Sequence, residues 1–281
     1  MKNCLLCDGP LGSTLLTINE PDRFEAAVNI TREGYERTWR KCARCGAAIN
    51  VMASSDEAKL DALNEEYYEV DLGTGIEARY EKIMRLPPSE SDNHQRVLRV
   101  LNFMEKWTND GRALNVLDVG SGLGVFPARL LELAKPGQIA SLLALEPDPI
   151  AFEHLNSLKK FSVQRRILDD TFDHGDFDLI CLNKVMEHIR KPQNVISAIK
   201  DRLTDKGGVF YVEVPHQITI DRRPSTDNIL GALHKHLYDV GSLSSFLANN
   251  GLIVLEAGFV KDPSGKLTCY AFASRSLDPW D

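Results

Sequence analysis

The stretch VLDVGSGLGVF, residues 116–126, limits the folds open to this chain more than any other. A hydrophobic run ends near Asp118, and Gly120, Gly122 and Gly124 follow at alternate positions. A glycine-rich turn between a strand and a helix lets a ligand approach the backbone, with N–H groups of the helix directed at it. The spacing G-x-G-x-G differs from the dinucleotide pattern G-x-G-x-x-G. A carboxylate at the strand end would repel a pyrophosphate, but it suits a ligand that carries an ammonium group.

From Ala113 onward, strand-like runs alternate with helical segments. The runs are LNVLDV, SLLALE, FSVQRRI, FDLICL, GVFYVEV, LIVLEAGFV and LTCYAFAS. Such alternation favours a parallel sheet covered on both faces, and the short turn KDPSGK between the last two runs favours an antiparallel hairpin. We therefore predict an α/β fold, doubly wound, with a mostly parallel seven-stranded sheet, over residues 111–281.

The residues before this region are predicted to form two further units. Residues 1–55 hold two cysteine pairs among short strand-like pieces, and residues 56–110 form a helical linker or lid. Within it, SSDEAKLDALNEEYY has the acidic first turn and apolar spacing of a helix. Its Tyr67 and Tyr68 could pack over a substrate or simply within the helix packing.

Acidic residues also follow the next two strand-like runs. Glu146 stands 22 residues after Gly124, where a carboxylate can accept both hydroxyls of a ribose. Asp169 and Asp170 follow the third run and could accept the adenine amino group. S-adenosylmethionine (SAM) has an ammonium group and a nucleoside but no phosphate, so this set of acids predicts SAM as the cofactor.

The motifs LDVGSGLG, LALEPD, DFDLICLNKVMEHI and GGVFYVEVP, in this order, resemble those of the class I SAM-dependent methyltransferases over residues 95–275. The resemblance implies a SAM site lined by Asp118, Gly120, Ser121, Gly122, Gly124, Glu146, Pro147, Asp169 and Asn183. His188 lies in the MEHI stretch, and we interpret it as structural support.

Four of the six cysteines form two C-x-x-C pairs, Cys4 with Cys7 and Cys42 with Cys45. Four thiolates suit tetrahedral zinc, and a site with four sulfur ligands leaves no position for water, so the zinc is predicted to be structural. Unpaired thiols are the alternative. Cys181 and Cys269 lie in apolar runs and are expected to be buried.

A four-cysteine module before a methyltransferase domain resembles the sugar methyltransferases of deoxysugar and surface-polysaccharide pathways. Some of these carry a Y-x-E-H-type stretch with a histidine base, and His236 of ALHKHLYDVGSLSSFLANNGL falls on the matching histidine. Leu233 replaces the tyrosine, which favours O- or N-methylation over C-methylation. His234 and His216 are the other candidate bases for a sugar hydroxyl.

The overall charge and the N-terminal sequence indicate where such a protein works. The chain of 281 residues has a formal net charge of −7 and no basic run, which argues against a nucleic-acid surface. The first residues lack the apolar core of a signal peptide, and no segment approaches the ~18 apolar residues of a membrane span. We expect a cytoplasmic enzyme acting on a small molecule, and the family resemblance implies a carbohydrate. The alternatives are a zinc-ribbon RNA methyltransferase and a non-catalytic SAM-binding assembly protein.

Overall fold

The computed structural model describes residues 3–61, 75–108 and 111–277. Its strands are β1 (Leu11–Ile18), β2 (Arg37–Cys42), β3 (Ala48–Val51), β4 (Leu114–Val119), β5 (Ile139–Leu145), β6 (Ser162–Gln164), β7 (Leu179–Asn183), β8 (Val209–Pro215), β9 (His236–Leu237), β10 (Ile253–Lys261) and β11 (Leu267–Ser274). Its α-helices are α1 (Arg23–Ala27), α2 (Ser54–Asp61), α3 (Ile76–Met84), α4 (Asp92–Trp107), α5 (Val125–Leu133), α6 (Pro149–Leu158), α7 (Pro192–Lys200), α8 (Thr219–Arg222) and α9 (Val240–Asn249).

Seven strands form one sheet in the order β10-β11-β8-β7-β4-β5-β6. The five strands β8, β7, β4, β5 and β6 run parallel to one another. Strand β11 runs antiparallel to both β8 and β10. The predicted fold, a mostly parallel seven-stranded sheet with a hairpin at its end, is confirmed. The run FSVQRRI contributes only the three residues of β6, at one edge of the sheet.

Local sequence explains how the helices next to the site begin. Helix α4 starts after Ser91, whose hydroxyl accepts the N–H of His94 at 3.2 Å. Helix α6 starts after Asp148, whose carboxylate accepts the N–H of Ala151 at 2.9 Å, with Pro149 at the first helical position. These side chains satisfy N–H groups that lack a partner within the first turn.

A second sheet has the order β1-β2-β3-β9. Its last strand belongs to the connection after β8: Leu237 pairs with Ala48, and His236 pairs with Ile49. The N–H of Asn50 continues this pairing by donating to the Lys235 carbonyl at 2.9 Å. The segment 1–55, predicted from sequence as a module of its own, therefore shares a sheet with the connection that borders the large sheet.

The two sheets also share a hydrophobic core. Cys4, Leu6 and Cys42 belong to the same buried cluster as Leu182 and Val214 of the large sheet. The predicted helix SSDEAKLDALNEEYY begins as α2, which is described up to Asp61. The rest of that stretch, including Tyr67 and Tyr68, lies outside the described residues. Among the described helices, none combines the length and the apolar character needed to cross a lipid bilayer.

Candidate active site

A cavity of about 890 Å³ opens beside the ends of the central parallel strands. Ligands of open α/β sheets bind at this carboxyl edge, because the strand-to-helix turns meet there. The residues lining the cavity come from the turns after β4, β5, β6 and β7 and from the N-terminal segment, and they include Gly120, Ser121, Gly122, Glu146, Pro147, Leu168, Asn183, His188, Phe24 and Leu60.

The turn after β4 needs glycine at its two ends. Gly120 has φ of +69°, and a Cβ there would stand 2.6 Å from a methyl group of Val185. Gly124 has φ of +74°, and a Cβ would stand 2.5 Å from a methyl group of Leu155. Since only glycine adopts such a backbone without strain and leaves this space, the turn packs tightly over the strand ends. Helix α5 begins directly after Gly124.

Glu146 lies at the end of β5 and is held in place by backbone N–H groups. Its Oε2 accepts the N–H of Gly122 at 2.7 Å, and its Oε1 accepts the N–H of Asp148 at 3.0 Å. Burial raises the pKa of Glu146 to about 7. The carboxylate lines the cavity, and each oxygen retains a second lone pair for a hydroxyl. This is the place that the sequence predicts for the ribose.

Asp118 and Asn183 meet at the ends of the adjacent strands β4 and β7. The amide of Asn183 donates to Asp118 Oδ1 at 3.3 Å, and Asp118 is buried. Burial raises the pKa of Asp118 to about 6. Asn183 lines the cavity, and its side-chain Oδ1 is buried with no hydrogen-bond partner among the described residues. Such an acceptor suits an ammonium group of a ligand.

Asp169, the acid predicted to bind adenine, does not line the cavity. The carboxylate of Asp169 accepts the N–H and the hydroxyl of Thr171 and a hydrogen bond from Arg166, and these bonds lower its pKa. It is not among the residues that line the cavity, where Leu168 and Ile167 lie instead. A short local turn explains the difference: an aspartate readily bonds the backbone two residues on.

The three histidines predicted as bases also lie outside the cavity wall. His236 is fully buried in β9, and its Nε2 bonds the Met186 carbonyl at 3.0 Å. The Nδ1 of His234 bonds the Ile229 carbonyl at 2.6 Å. His216 accepts the N–H of Ile218 at 3.0 Å and packs against Phe259.

Burial lowers the pKa of each of these histidines, to about 3 for His236 and to about 4 for His234. The histidine that does line the cavity is His188, which the sequence interpretation assigns to structural support. The sequence does contain a pattern that indicates this position. MEHI comes shortly after β7, and the carboxyl end of β7 lies at the ligand-binding edge of the sheet.

Basic and apolar side chains that sequence reasoning did not single out complete the wall. Lys184 follows β7, Lys235 precedes β9, and both line the cavity together with Leu233. Lys235 is buried and lies 3.1 Å from a carboxylate oxygen of Asp61 in α2. The N-terminal segment therefore forms part of the wall beyond the predicted nucleoside-binding residues.

The four N-terminal cysteines converge on one point. The Sγ atoms of Cys4 and Cys45 are 3.7 Å apart, and those of Cys7 and Cys42 are 3.5 Å apart. Tetrahedral zinc with Zn–S bonds of about 2.3 Å requires separations of about 3.8 Å. Backbone N–H groups donate to three of these sulfurs at 3.4 Å. The donor set and its geometry fit a zinc ion.

Electrostatics also favours a cation at the cysteine cluster. Burial raises the pKa of Cys7, and the hydrogen bond with Cys4 raises the pKa of Cys45. The cluster alone therefore resists carrying four negative charges, whereas a bound divalent cation makes the thiolates stable.

The sheet order, the glycine turn and the carboxylate at the end of β5 together define the class I methyltransferase fold. Residues 89–257, more than half of the chain, match the family described as a methyltransferase domain, and the protein belongs to this family. The family predicted from sequence, the methyltransferases, is thereby confirmed.

Two curated relatives are ubiquinone biosynthesis O-methyltransferases. The one from Shewanella halifaxensis (strain HAW-EB4) is 25% identical over 137 residues, which cover 47% of this chain and 55% of the relative. The one from Vibrio atlanticus (strain LGP32) is 26% identical over 116 residues, which cover 40% of this chain and 48% of the relative. The chain thus spans about half the length of these relatives.

Solved structures share the fold at low sequence identity. One is magnesium protoporphyrin IX methyltransferase from Synechocystis PCC 6803, with bound S-adenosylhomocysteine (SAH). It gives a TM-score of 0.56 and 14% sequence identity, and the match covers 77% of this chain and 100% of that one. A SAM-dependent methyltransferase from Mesorhizobium loti gives a TM-score of 0.51 and 14% identity, covering 66% of this chain and 99% of that one. These likenesses support the fold.

Proposed function

We propose that the protein binds SAM in the cavity and transfers its methyl group to a hydroxyl of a small molecule. The observation that carries the proposal is the glycine turn joined to Glu146. The N–H groups of Gly122 and Asp148 hold the two carboxylate oxygens at 2.7 and 3.0 Å, at the cavity wall. A carboxylate fixed in this way needs no rearrangement to accept two ribose hydroxyls.

The proposed cofactor site keeps most of the residues predicted from sequence. It consists of Asp118, Gly120, Ser121, Gly122, Gly124, Glu146, Pro147 and Asn183, whereas Asp169 is left out because its carboxylate is engaged with Thr171 and Arg166. Bound SAM supplies a methyl group on a sulfonium, and the chain's own residues position that methyl group against the acceptor. The unpartnered Oδ1 of Asn183 would hold the ammonium end, and Asp118, which is buried and does not line the cavity, would orient Asn183 by accepting its amide N–H.

For the acceptor, we propose a polyhydroxylated molecule such as a sugar or a nucleotide-linked sugar. Apolar side chains of Phe24, Leu60 and Leu233 line the same cavity as Lys184 and Lys235. The ammonium group of Lys184 donates to the hydroxyl of Thr268 at 2.6 Å, so Lys235 is the cation proposed for the acceptor. A sugar ring can pack its C–H face on the apolar groups, while the ammonium group of Lys235 binds hydroxyl or phosphate oxygens. The name of the curated relatives, O-methyltransferase, supports oxygen as the methylated atom.

We also propose that Cys4, Cys7, Cys42 and Cys45 bind one structural zinc ion. The support is the pair of Sγ–Sγ distances, 3.7 and 3.5 Å, and the N–H groups directed at the sulfurs. With four thiolate ligands the ion has no open position, so it stabilises the fold of the N-terminal segment and takes no part in the transfer.

The cofactor site is tested by calorimetry with the Glu146→Gln variant. The variant replaces one acceptor oxygen by an N–H₂ group, and a hydrogen bond to a charged group contributes about 1.5–3 kcal/mol. We expect at least about tenfold weaker binding of SAM and SAH, with Glu90→Gln, an exposed carboxylate, unchanged. Equal affinity in the variant and the wild type would refute this placement of the ribose.

The acceptor is tested by incubating the wild-type protein with SAM and a panel of nucleotide-linked sugars, free sugars and phenols. The expected product is heavier by one methyl group and forms together with SAH. SAM binding without any methylated product would favour the non-catalytic alternative. Methylation of RNA alone would favour the RNA methyltransferase.

A further inference from the structure

Next to the proposed acceptor wall, three metal-ligating side chains meet. Glu187 and His188 lie on the short 3₁₀ turn Met186–His188 after β7, and His234 lies in the loop before β9. One ligand atom from each residue can be chosen so that all three lie within 4.8 Å of one another. The two imidazole rings have centroids 4.5 Å apart. We refer to these three residues as the histidine cluster.

Glu187 has an unsatisfied oxygen at this cluster. The residue is 1% exposed, and its Oε2 has no hydrogen-bond partner among the described residues. A buried carboxylate oxygen without a partner is costly, and native proteins usually satisfy it with a donor, a water or an ion. Burial accordingly raises the pKa of Glu187 to about 7. A bound cation would restore the charged form.

Both histidines are oriented as metal ligands usually are. The Nδ1–H of His234 donates to the Ile229 carbonyl at 2.6 Å, which leaves Nε2 with its lone pair. A ring nitrogen of His188 is hydrogen-bonded to the backbone of Leu233. A backbone carbonyl on one ring nitrogen fixes the tautomer and turns the other nitrogen toward a metal. Burial lowers the pKa of both rings, so both are in the neutral form that binds metal ions.

The neighbouring positive charges are balanced by other carboxylates. Lys184 lies 3.5 Å from an oxygen of Glu213, and Lys235 lies 3.1 Å from an oxygen of Asp61. Both ammonium groups thus have a nearer carboxylate partner than Glu187, although the charge of Lys184 also acts on Glu187, and a bound cation would share that carboxylate with it.

We propose that Glu187, His188 and His234 bind one divalent transition-metal ion, such as Zn²⁺, Fe²⁺ or Mn²⁺, at the edge of the cavity. Two imidazoles and one carboxylate suit borderline cations of this kind, and three protein ligands leave positions open for a further ligand. His188 lines the cavity, so an open position on this ion can be reached by the acceptor.

The role of this ion rests on the proposed methyl transfer to oxygen. A hydroxyl bound to a divalent cation loses its proton more readily than a free one. The O–H bond of the acceptor breaks and its proton passes to water. The electron pair of that oxygen then forms the O–CH₃ bond as the S–CH₃ bond of SAM breaks, giving SAH. The ion thus supplies the activation for which the sequence suggests a histidine base.

The test is a count of bound Co²⁺ on the full-length protein by equilibrium dialysis and elemental analysis. Cobalt bound to thiolates at the cysteine site absorbs in the near ultraviolet, whereas cobalt at a nitrogen and oxygen site does not. We expect Glu187→Gln and His234→Gln to bind one Co²⁺ fewer per chain than the wild type, with the thiolate absorption unchanged. His174→Gln, an exposed histidine outside the cluster, should match the wild type.

A wild-type protein that binds cobalt only through thiolates, or variants that keep the full count, would overturn the proposal. Circular dichroism checks that each variant is folded. If one variant does not fold, the cobalt count of the other still tests the proposal. SAH affinity and methyl transfer measured on the same samples judge the proposed function separately. If the function is right and the metal site is wrong, the wild type methylates its acceptor equally well with and without a chelator that spares the cysteine site.

Discussion

Glu146 is the residue through which pH is expected to act on cofactor binding. Burial raises its pKa to about 7, so near pH 6 most of the carboxyl group is protonated. Ribose hydroxyls donate to the charged form, and ligand binding therefore lowers this pKa and releases a proton. We expect the affinity for SAH to rise about tenfold from pH 6 to pH 8. Asp118, with a pKa raised by burial to about 6, adds to the effect in the same direction.

This prediction is checked by calorimetry of SAH binding across that pH range in two buffers of different ionisation enthalpy. The proton release should appear as a buffer-dependent heat, largest near pH 6. In Glu146→Gln the pH dependence above pH 7 should vanish. An affinity that stays constant from pH 6 to pH 8 in the wild type would contradict the assignment of Glu146.

At the same scale, some of the predicted site residues line the cavity and others do not, for a physical reason. Glu146 and the glycines belong to a continuous strand–turn–helix pattern, so neighbouring residues determine where they point. The environment of His236 depends instead on the pairing of β9 with Ile49, which is far away in sequence. Asp169 is engaged instead in a local hydrogen bond to Thr171. Local sequence patterns therefore determine the proposed cofactor end of the cavity, whereas pairing between distant segments determines the proposed acceptor end.

Strand β9, only two residues long, links the cysteine cluster to the acceptor wall. The hairpin β2–β3 carries Cys42 and Cys45 at its turn, and β3 pairs with β9. The side chain of Asn50 on β3 also donates to the His234 carbonyl at 2.8 Å. The position of Lys235 and of the histidine cluster thus depends on a hairpin that the proposed zinc ion would hold closed.

We therefore expect Cys42→Ser to affect the two substrates differently. Loss of one thiolate weakens the proposed zinc site and loosens β3 and β9, so KM for the acceptor should rise about tenfold or more, while the SAH affinity stays within a few-fold. Elemental analysis should find about one zinc fewer per chain in the variant than in the wild type. Ser13→Ala, an exposed change in the same segment, is the control. Equal losses of SAH affinity and acceptor affinity would contradict this division between the two ends of the cavity.

At the scale of the whole molecule, one buried carboxylate joins several elements. Glu213 of β8 is fully buried and accepts hydrogen bonds from Arg96 of α4 at 2.5 Å and from the hydroxyl of Tyr211 at 2.8 Å. Arg99 and Lys184 lie 3.1 and 3.5 Å from its oxygens. The Glu213 carboxylate thus connects helix α4, strand β8 and Lys184, which lines the cavity. Neither the helical pattern of α4 nor the apolar run of β8 predicts this contact.

The charge of Glu213 determines how its contribution to stability depends on pH. Burial alone would raise its pKa, but the charges of Arg96 and Lys184 outweigh burial and hold the pKa well below its usual range. A group with a lowered folded-state pKa stabilises the protein above its unfolded-state pKa, about 4.5 here. That stabilisation is lost as the pH falls below this value toward the folded-state pKa.

Glu213→Gln should therefore destabilise the protein strongly at pH 7. The variant leaves buried Arg96 without its carboxylate, and removal of one partner from a buried ion pair typically costs about 3–5 kcal/mol. For a chain of this size, we expect Tm to fall by about 10 °C. Thermal denaturation followed by circular dichroism measures the shift, with Glu256→Gln, an exposed position on the edge strand β10, as the control. The difference in Tm between Glu213→Gln and the wild type should shrink as the pH falls below about 4.5, because protons then bind Glu213 in the unfolded wild type and favour unfolding. A shift at pH 7 no larger than that of the control would mean that the arginines find other partners, and that α4 is held on the sheet by its apolar face alone.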